Sequence, residues 1–270
     1  MVSFLVHYLR ALNGIVLREL YRFVHQRERF ASALVRPLVW LFIFAAGFRS
    51  TLGVGISPPY ETYILYEVYI TPGLLGMIQL FNGMQSSLSM VYDREMGSMK
   101  TLLVSPLPRW FLLTAKLSAG VVVSVVQAYT FLLVAWCYGV EAPLLGYLLV
   151  LPALILSGLM LGALGLLLSS FIKQLENFAG VMNFVIFPMF FLSTSLYPLW
   201  KIQESSELLT VLAAYNPFSQ AVEMLRFALY ERFNVYASLY TAAALALFLV
   251  LAILGYNPSK GMMQKKGAGS

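Results

Sequence analysis

Apolar residues come in long runs along this chain, and the polar positions gather between them. Six runs are long enough to cross a hydrocarbon layer roughly 30 Å thick, which takes about 20 helical residues. They lie at 31–49, 68–91, 110–138, 144–171, 178–200 and 234–256. Between Ala142 and Ile172 there is no charged residue at all, whereas a helix on a soluble core keeps a polar stripe. The pattern predicts an all-α membrane protein with six transmembrane helices, forming one domain over residues 1–266. The terminal Gly267-Ala268-Gly269-Ser270 reads as an added tail outside that domain.

Two segments depart from the spanning pattern. Over 3–29, Leu5, Leu9, Leu12, Val16, Leu20 and Phe23 recur at helical spacing, with His7, Arg10, Arg18, Arg22 and His25 on the opposite side. That pattern predicts a basic amphipathic helix in the inner headgroup layer, a surface that also suits packing on a partner. Between spans five and six, an apolar piece from Leu208 to Ala214 is broken at Asn216-Pro217 and followed by Phe218 to Tyr230. Asn caps free N–H groups and proline suits the first helical turn. Pieces this short do not cross, so residues 203–230 are expected to re-enter the membrane from outside, with surface helices as the alternative. Glu223 and Arg226 stand at i, i+3 and can pair on one face.

Smaller signals refine this layout. Tyr60, Tyr63, Tyr66 and Tyr69 precede the second span, and Tyr197 and Trp200 close the fifth. Amphipathic rings favour the headgroup level, so they predict an outer aromatic belt, with a path lining as the other reading. Gly158, Gly162 and Gly165 allow a neighbouring helix to come close.

Composition agrees: 60% of residues are hydrophobic and 11% charged. The net charge of +6 does not point to nucleic acid, because its distribution follows membrane topology. With the N-terminus inside, fourteen basic residues fall on inner segments, and only Arg49, Lys201, Arg226 and Arg232 fall on outer ones. This satisfies the positive-inside rule and places both termini in the cytoplasm. No cleavable signal is evident at the start. The single Cys137 cannot form an internal disulfide.

The chemistry that is missing narrows the function. The two histidines, His7 and His25, both lie on the amphipathic segment. No cluster has metal-ligand spacing, and no serine has a histidine at membrane depth to activate it. Glu67, Arg36, Lys116, Glu176 and Glu223 are expected at or near span ends, where they do not supply the buried relay of an ion-coupled carrier. No channel filter is recognisable. A phosphate loop is also missing, so any uphill work draws its energy from another polypeptide.

That gives meaning to the charged segment Asp93–Pro108, which lies between two apolar runs. Asp93 can cap a helix and Glu95 suits its first turn. Met96, Met99 and Leu103 share a face, and Pro106 ends the helix. A short helix over 93–104 with an apolar ridge suits a groove on a partner protein, with a solvated connecting helix as the alternative reading.

These residues together resemble the membrane subunit of bacterial ABC exporters of the six-span, second permease class. The matching elements are Tyr69-Ile70-Thr71-Pro72-Gly73-Leu74, then Asp93-Arg94-Glu95-x-Gly97. Leu102-Leu103-x-Ser105-Pro106-Leu107-Pro108-Arg109 and Lys116 follow, and Asn216-Pro217 leads a helix containing Arg226. The set covers most of 60–230. The resemblance implies a non-enzymatic export permease in the bacterial inner membrane, with two copies around a central path and two cytoplasmic ABC ATPase subunits below. Asp93, Arg94, Glu95, Gly97, Met99 and Leu103 would form the coupling helix, and Asn216, Pro217, Glu223 and Arg226 the outer gate. Spans one, two and five would line the path for an amphiphilic, lipid-like, drug or glycan substrate. No cofactor is expected on this chain, ATP and Mg belonging to the partner. Family members often carry an acidic residue after the loop glycine, where Ser98-Met99-Lys100 stands here. Two other classes fit the residues: a membrane scaffold without a path, and an ion-coupled carrier.

Overall fold

The computed structural model describes residues 2–25, 27–44, 47, 58–95, 108–172 and 174–255. Its helices are α1 (Val2–His25), α2 (Arg27–Val39), α3 (Tyr66–Glu95), α4 (Arg109–Cys137) and α5 (Gly146–Phe171). They continue as α6 (Leu175–Phe191), α7 (Leu199–Gln203), α8 (Glu207–Tyr215), α9 (Pro217–Leu229) and α10 (Val235–Gly255). Pro37 inside α2 is followed by a π-helical turn, Trp40–Phe44. Both features bend a helix, because each disturbs the regular ladder of backbone bonds.

Among the described residues, three helices are long and apolar enough to cross a membrane: Trp110–Cys137, Gly146–Phe171 and Val235–Gly255. Ala33–Ile43 and Leu175–Phe191 are apolar but shorter, and the 30-residue α3 carries acidic residues near its ends. Large apolar side chains also cover the outside, with Phe184 at 79% and Leu254 at 76% exposure. Their solvent is lipid, since the apolar surface faces outward as well as inward.

One span ends earlier than the hydropathy suggests. α6 stops at Phe191 instead of continuing to 200. The reason is local: Ser193 and Ser195 hydroxyls both donate to the Phe190 carbonyl, at 2.6 and 3.1 Å. Such bonds offer the backbone an alternative to the helical ladder. Pro198 then starts the short α7.

The centre is α3 packed along α5, with α4, α6 and α9 against its other faces. A Cβ at Gly83 of α3 would stand 2.8 Å from the Gly162 nitrogen of α5, so the two backbones touch only because both positions lack one. The glycines of α5 therefore serve contacts inside the chain. Polar groups at this level satisfy one another: Gln79 donates to the Leu154 carbonyl at 3.1 Å, and Ser124 donates to Gln79 at 2.5 Å. Asn82 donates to Gln127 beside them. In lipid, each such group left unpaired would be costly.

α1 packs against the start of α4, where Tyr8 meets Phe111 edge to face with centroids 4.7 Å apart. Tyr8, Leu12, Val16 and Leu20 make a half-buried stripe, while Arg10 and Arg18 face out. Leu9, expected on that stripe, is 56% exposed. It shares the outer surface with Leu17 and Tyr21, so the apolar surface of α1 is split between the protein and its surroundings.

Candidate functional site

At one end of the bundle lie the starts of α3, α5 and α10 together with α7, α8 and α9. Asn216 caps α9 by accepting from the Phe218 N–H at 2.9 Å, with Pro217 at the first helical position. Its amide also donates to the Met189 and Leu192 carbonyls, at 2.8 and 2.7 Å. One side chain thus starts α9 and fastens it to the end of α6.

The helix then buries nearly every face, with Phe218, Ala221, Val222 and Leu225 all at 0% exposure. A cation is buried with them: Arg226 is 2% exposed. It pairs with Glu223, one turn back, as the i, i+3 spacing predicts. Its other arm donates to the Thr194 carbonyl at 2.8 Å, and its plane lies over the Tyr69 ring at 4.1 Å. Burying a charge is costly unless it is paired and bonded, and the guanidinium is both.

The tyrosines at this end depart from the expected belt. Of the belt candidates Tyr60, Tyr66 and Tyr69 are buried, while Tyr63 and Trp200 are exposed. Tyr69 donates to the same Thr194 carbonyl at 2.9 Å, and Tyr66 to the Leu196 carbonyl at 3.1 Å. Two hydroxyls from α3 and one guanidinium from α9 therefore hold the 192–198 turn. Burial pushes the Tyr60 hydroxyl up to about 12, against the pull of Arg226, so it stays protonated at physiological pH. Tyr66 and Tyr69, expected on the belt or a path lining, join Thr194 in this cluster instead. The i, i+3 spacing of the two tyrosines on one face was the available signal.

Gly73 completes the arrangement. A Cβ there would stand 2.5 Å from the Ser195 carbonyl oxygen and 2.7 Å from its Cβ. The Thr71-Pro72-Gly73 motif thus lets the 192–198 turn settle directly on α3. An open cleft of about 520 Å³ lies beside this cluster, lined by Glu223, Arg226 and Gln220 together with Trp200, Tyr215 and Tyr236.

The coupling candidates lie at the far end of α3. Asp93, Arg94 and Glu95 form the last turn of α3, and the start of the expected 93–104 helix therefore continues that long helix without a break. No glycine or proline falls between Tyr92 and Glu95 to stop it. Gly97, Met99 and Leu103 lie outside the described residues. The first three are thus joined to Tyr66 and Tyr69 by one continuous helix.

Arg36 is placed differently from its expected position near a span end. Its guanidinium lies 4.2 Å over the ring of Phe81, which sits at the middle of α3.

Such a chain is a multi-pass helical membrane protein with polar clusters at set depths. Residues 10–230 match the family described as ABC-2 type transporter, and the chain belongs to this family of membrane permeases. It is 27% identical over 202 residues to a protein of Cyanophora paradoxa named transport permease ycf38, covering 73% of this chain and 66% of that one. It is 34% identical over 131 residues to a protein of Escherichia coli K12 named multidrug ABC transporter permease YbhR, covering 47% of this chain and 35% of that one. The matches thus span less than two thirds of either relative's length. A ycf38 protein of Pyropia yezoensis is 24% identical over 237 residues, covering 84% of this chain and 76% of that one.

Proposed function

We propose that this chain is the transmembrane subunit of an ATP-driven exporter. Six spans bring both termini to the cytoplasm of a bacterial inner membrane. Two copies pair around a path, and a separate ABC ATPase, itself in two copies, holds ATP and Mg. Segment 93–104 seats in a groove of that ATPase and passes its movement into the bundle. At the outer end, α9 and the 192–198 turn form the gate, with Glu223 and Arg226 as its latch. The substrate is an amphiphile: lipid-like, drug-like or a glycan carried on a lipid.

One observation supports this reading most. A single continuous helix, α3, carries Asp93, Arg94 and Glu95 in its last turn and the tyrosines that hold the 192–198 turn in its first. α3 stays helical on both sides of Pro72, so a displacement at its last turn is carried toward its first, and α3 suits a lever between motor and gate. A relative named as a multidrug ABC transporter permease points the same way.

The decisive test replaces Glu95 and Leu103 together with Ala in the assembled complex. ATPase subunits should co-purify with the parent chain, and the double variant should lose at least about ten-fold in export. Export and substrate-stimulated ATP hydrolysis that both survive unchanged would remove the coupling role. A chain that never captures an ATPase subunit would be a scaffold. Export that persists without ATP and collapses with the ion gradient would make it a secondary carrier.

A further inference from the structure

Arg36 is a charged side chain at the wrong depth for a simple anchor. It lies against Phe81, beside Asn82, at the level where α3, α4 and α5 are all near mid-length. Arginine near a helix end can extend to the interface. At mid-depth it marks a site, because lipid does not solvate it. Neither does the protein neutralise it: among the described residues no carboxylate pairs with Arg36. It contrasts in this with Arg226, whose charge is met by Glu223.

The surroundings are those of a recognition site. Arg36 borders a small groove of about 30 Å³ between α2 and α3, whose polar lining is Arg36, Asn82 and Gln85. Met77, Ile78 and Phe81 supply its apolar wall, and no acidic residue lines it. Arg36 itself is exposed, while Met77 and Ile78 at the back of the groove are buried. Asn82 is held by its bond to Gln127, and Phe81 fixes the guanidinium plane. A planar fork of donors flanked by two amides matches the oxygens of a phosphate or carboxylate. The small volume admits an acid group's oxygens and leaves the rest of the molecule along the apolar wall.

We propose that Arg36, Asn82 and Gln85 form an anion subsite on the transport path, selecting amphiphiles with an acidic headgroup over neutral or cationic ones. This rests on the permease reading above, and it assigns a substrate chemistry to that path.

Binding tests it without the ATPase, so its outcome is separate from that of the coupling experiment. The full chain in neutral detergent is offered equal phosphatidic acid and phosphatidylcholine, and native mass spectrometry reads the lipid retained. The parent chain should retain phosphatidic acid at least about ten-fold over phosphatidylcholine, a difference a charge-assisted bidentate contact readily supplies. Arg36→Gln should remove most of that preference, and Arg36→Lys should keep part of it. Gln85→Glu, which leaves Arg36 in place and sets a carboxylate beside it, should abolish the preference in a chain with the parent's elution profile. Arg10→Gln, on the exposed face of α1, should change nothing. Inorganic phosphate is the second arm: displacement of the lipid by an equal concentration of it would make the ligand a free anion and overturn the amphiphile assignment. A preference absent from the parent, or unchanged in both Arg36→Gln and Gln85→Glu, would overturn the subsite.

Discussion

Arg226 shows how a charge is kept inside an apolar bundle. Its guanidinium has three partners: the Glu223 carboxylate, the Thr194 carbonyl and the Tyr69 ring. Removing one member of a buried pair leaves the other uncompensated, which costs about 3–5 kcal/mol. The Glu223 side chain is 22% exposed, against 3% for Arg226, so water offsets part of that loss. Glu223→Gln should therefore lower stability by about 2–3 kcal/mol, read as a shift in thermal unfolding of the detergent-solubilised chain. Arg226→Lys keeps the charge but loses the planar fork and the ring stack, and should be destabilising as well. Unchanged unfolding in both variants would mean the latch is not built this way. The pair itself was legible in the sequence, since i, i+3 neighbours share a helix face. Tyr69 and Thr194 were not, because they reach Arg226 from elements far away in the chain.

At the scale of helices, the same contrast recurs. The start of α9 at Asn216-Pro217 was legible, since both residues carry their own backbone logic. So were the ends of α4, α5 and α10, to within a few residues. The end of α6 was not: Ser193, Thr194 and Ser195 interrupt an apolar run too briefly to register as hydropathy, yet the Ser193 and Ser195 hydroxyls take the carbonyl the next turn needs. Tyr60, Tyr66 and Tyr69 leave the expected aromatic belt for a related reason, while Tyr63 and Trp200 stay exposed. A tyrosine before a span looks the same whether its hydroxyl meets water or a backbone carbonyl, and only the position of the 192–198 turn decides. Two helix-level predictions follow from the contacts. Gly83→Leu must push α3 from α5, since even a Cβ meets the Gly162 backbone at 2.8 Å. Overpacking of this kind costs about 1–3 kcal/mol, measured as lower thermal stability with the oligomeric state monitored alongside. Asn216→Ala removes a cap and two carbonyl contacts, and the cap alone contributes about 1 kcal/mol. Proteolysis between α8 and α9 should quicken in that variant, and an unchanged cleavage rate would show that Asn216 does not hold α9.

The whole molecule has two ends with different chemistry. The fold sorts the helix termini between these two ends. Gly146 at the start of α5 meets Leu229 at the end of α9, while Gly255 at the end of α10 meets Ser170 and Phe171 at the end of α5. The Glu223–Arg226 cluster therefore lies at the end opposite Asp93, Arg94 and Glu95. The orientation of this axis is directly testable, because the chain supplies its own probe. Cys137 is its only cysteine, it is exposed, and it closes α4 at the end that holds Arg226. In intact cells with a permeable outer envelope, a membrane-impermeant maleimide should label Cys137 from outside. In a Cys137→Ser background, a cysteine placed at Ser170, at the far end of α5, should react only after the membrane is opened. The reverse labelling pattern would invert the molecule and place the 93–104 segment outside the cell, where no ATPase subunit could reach it.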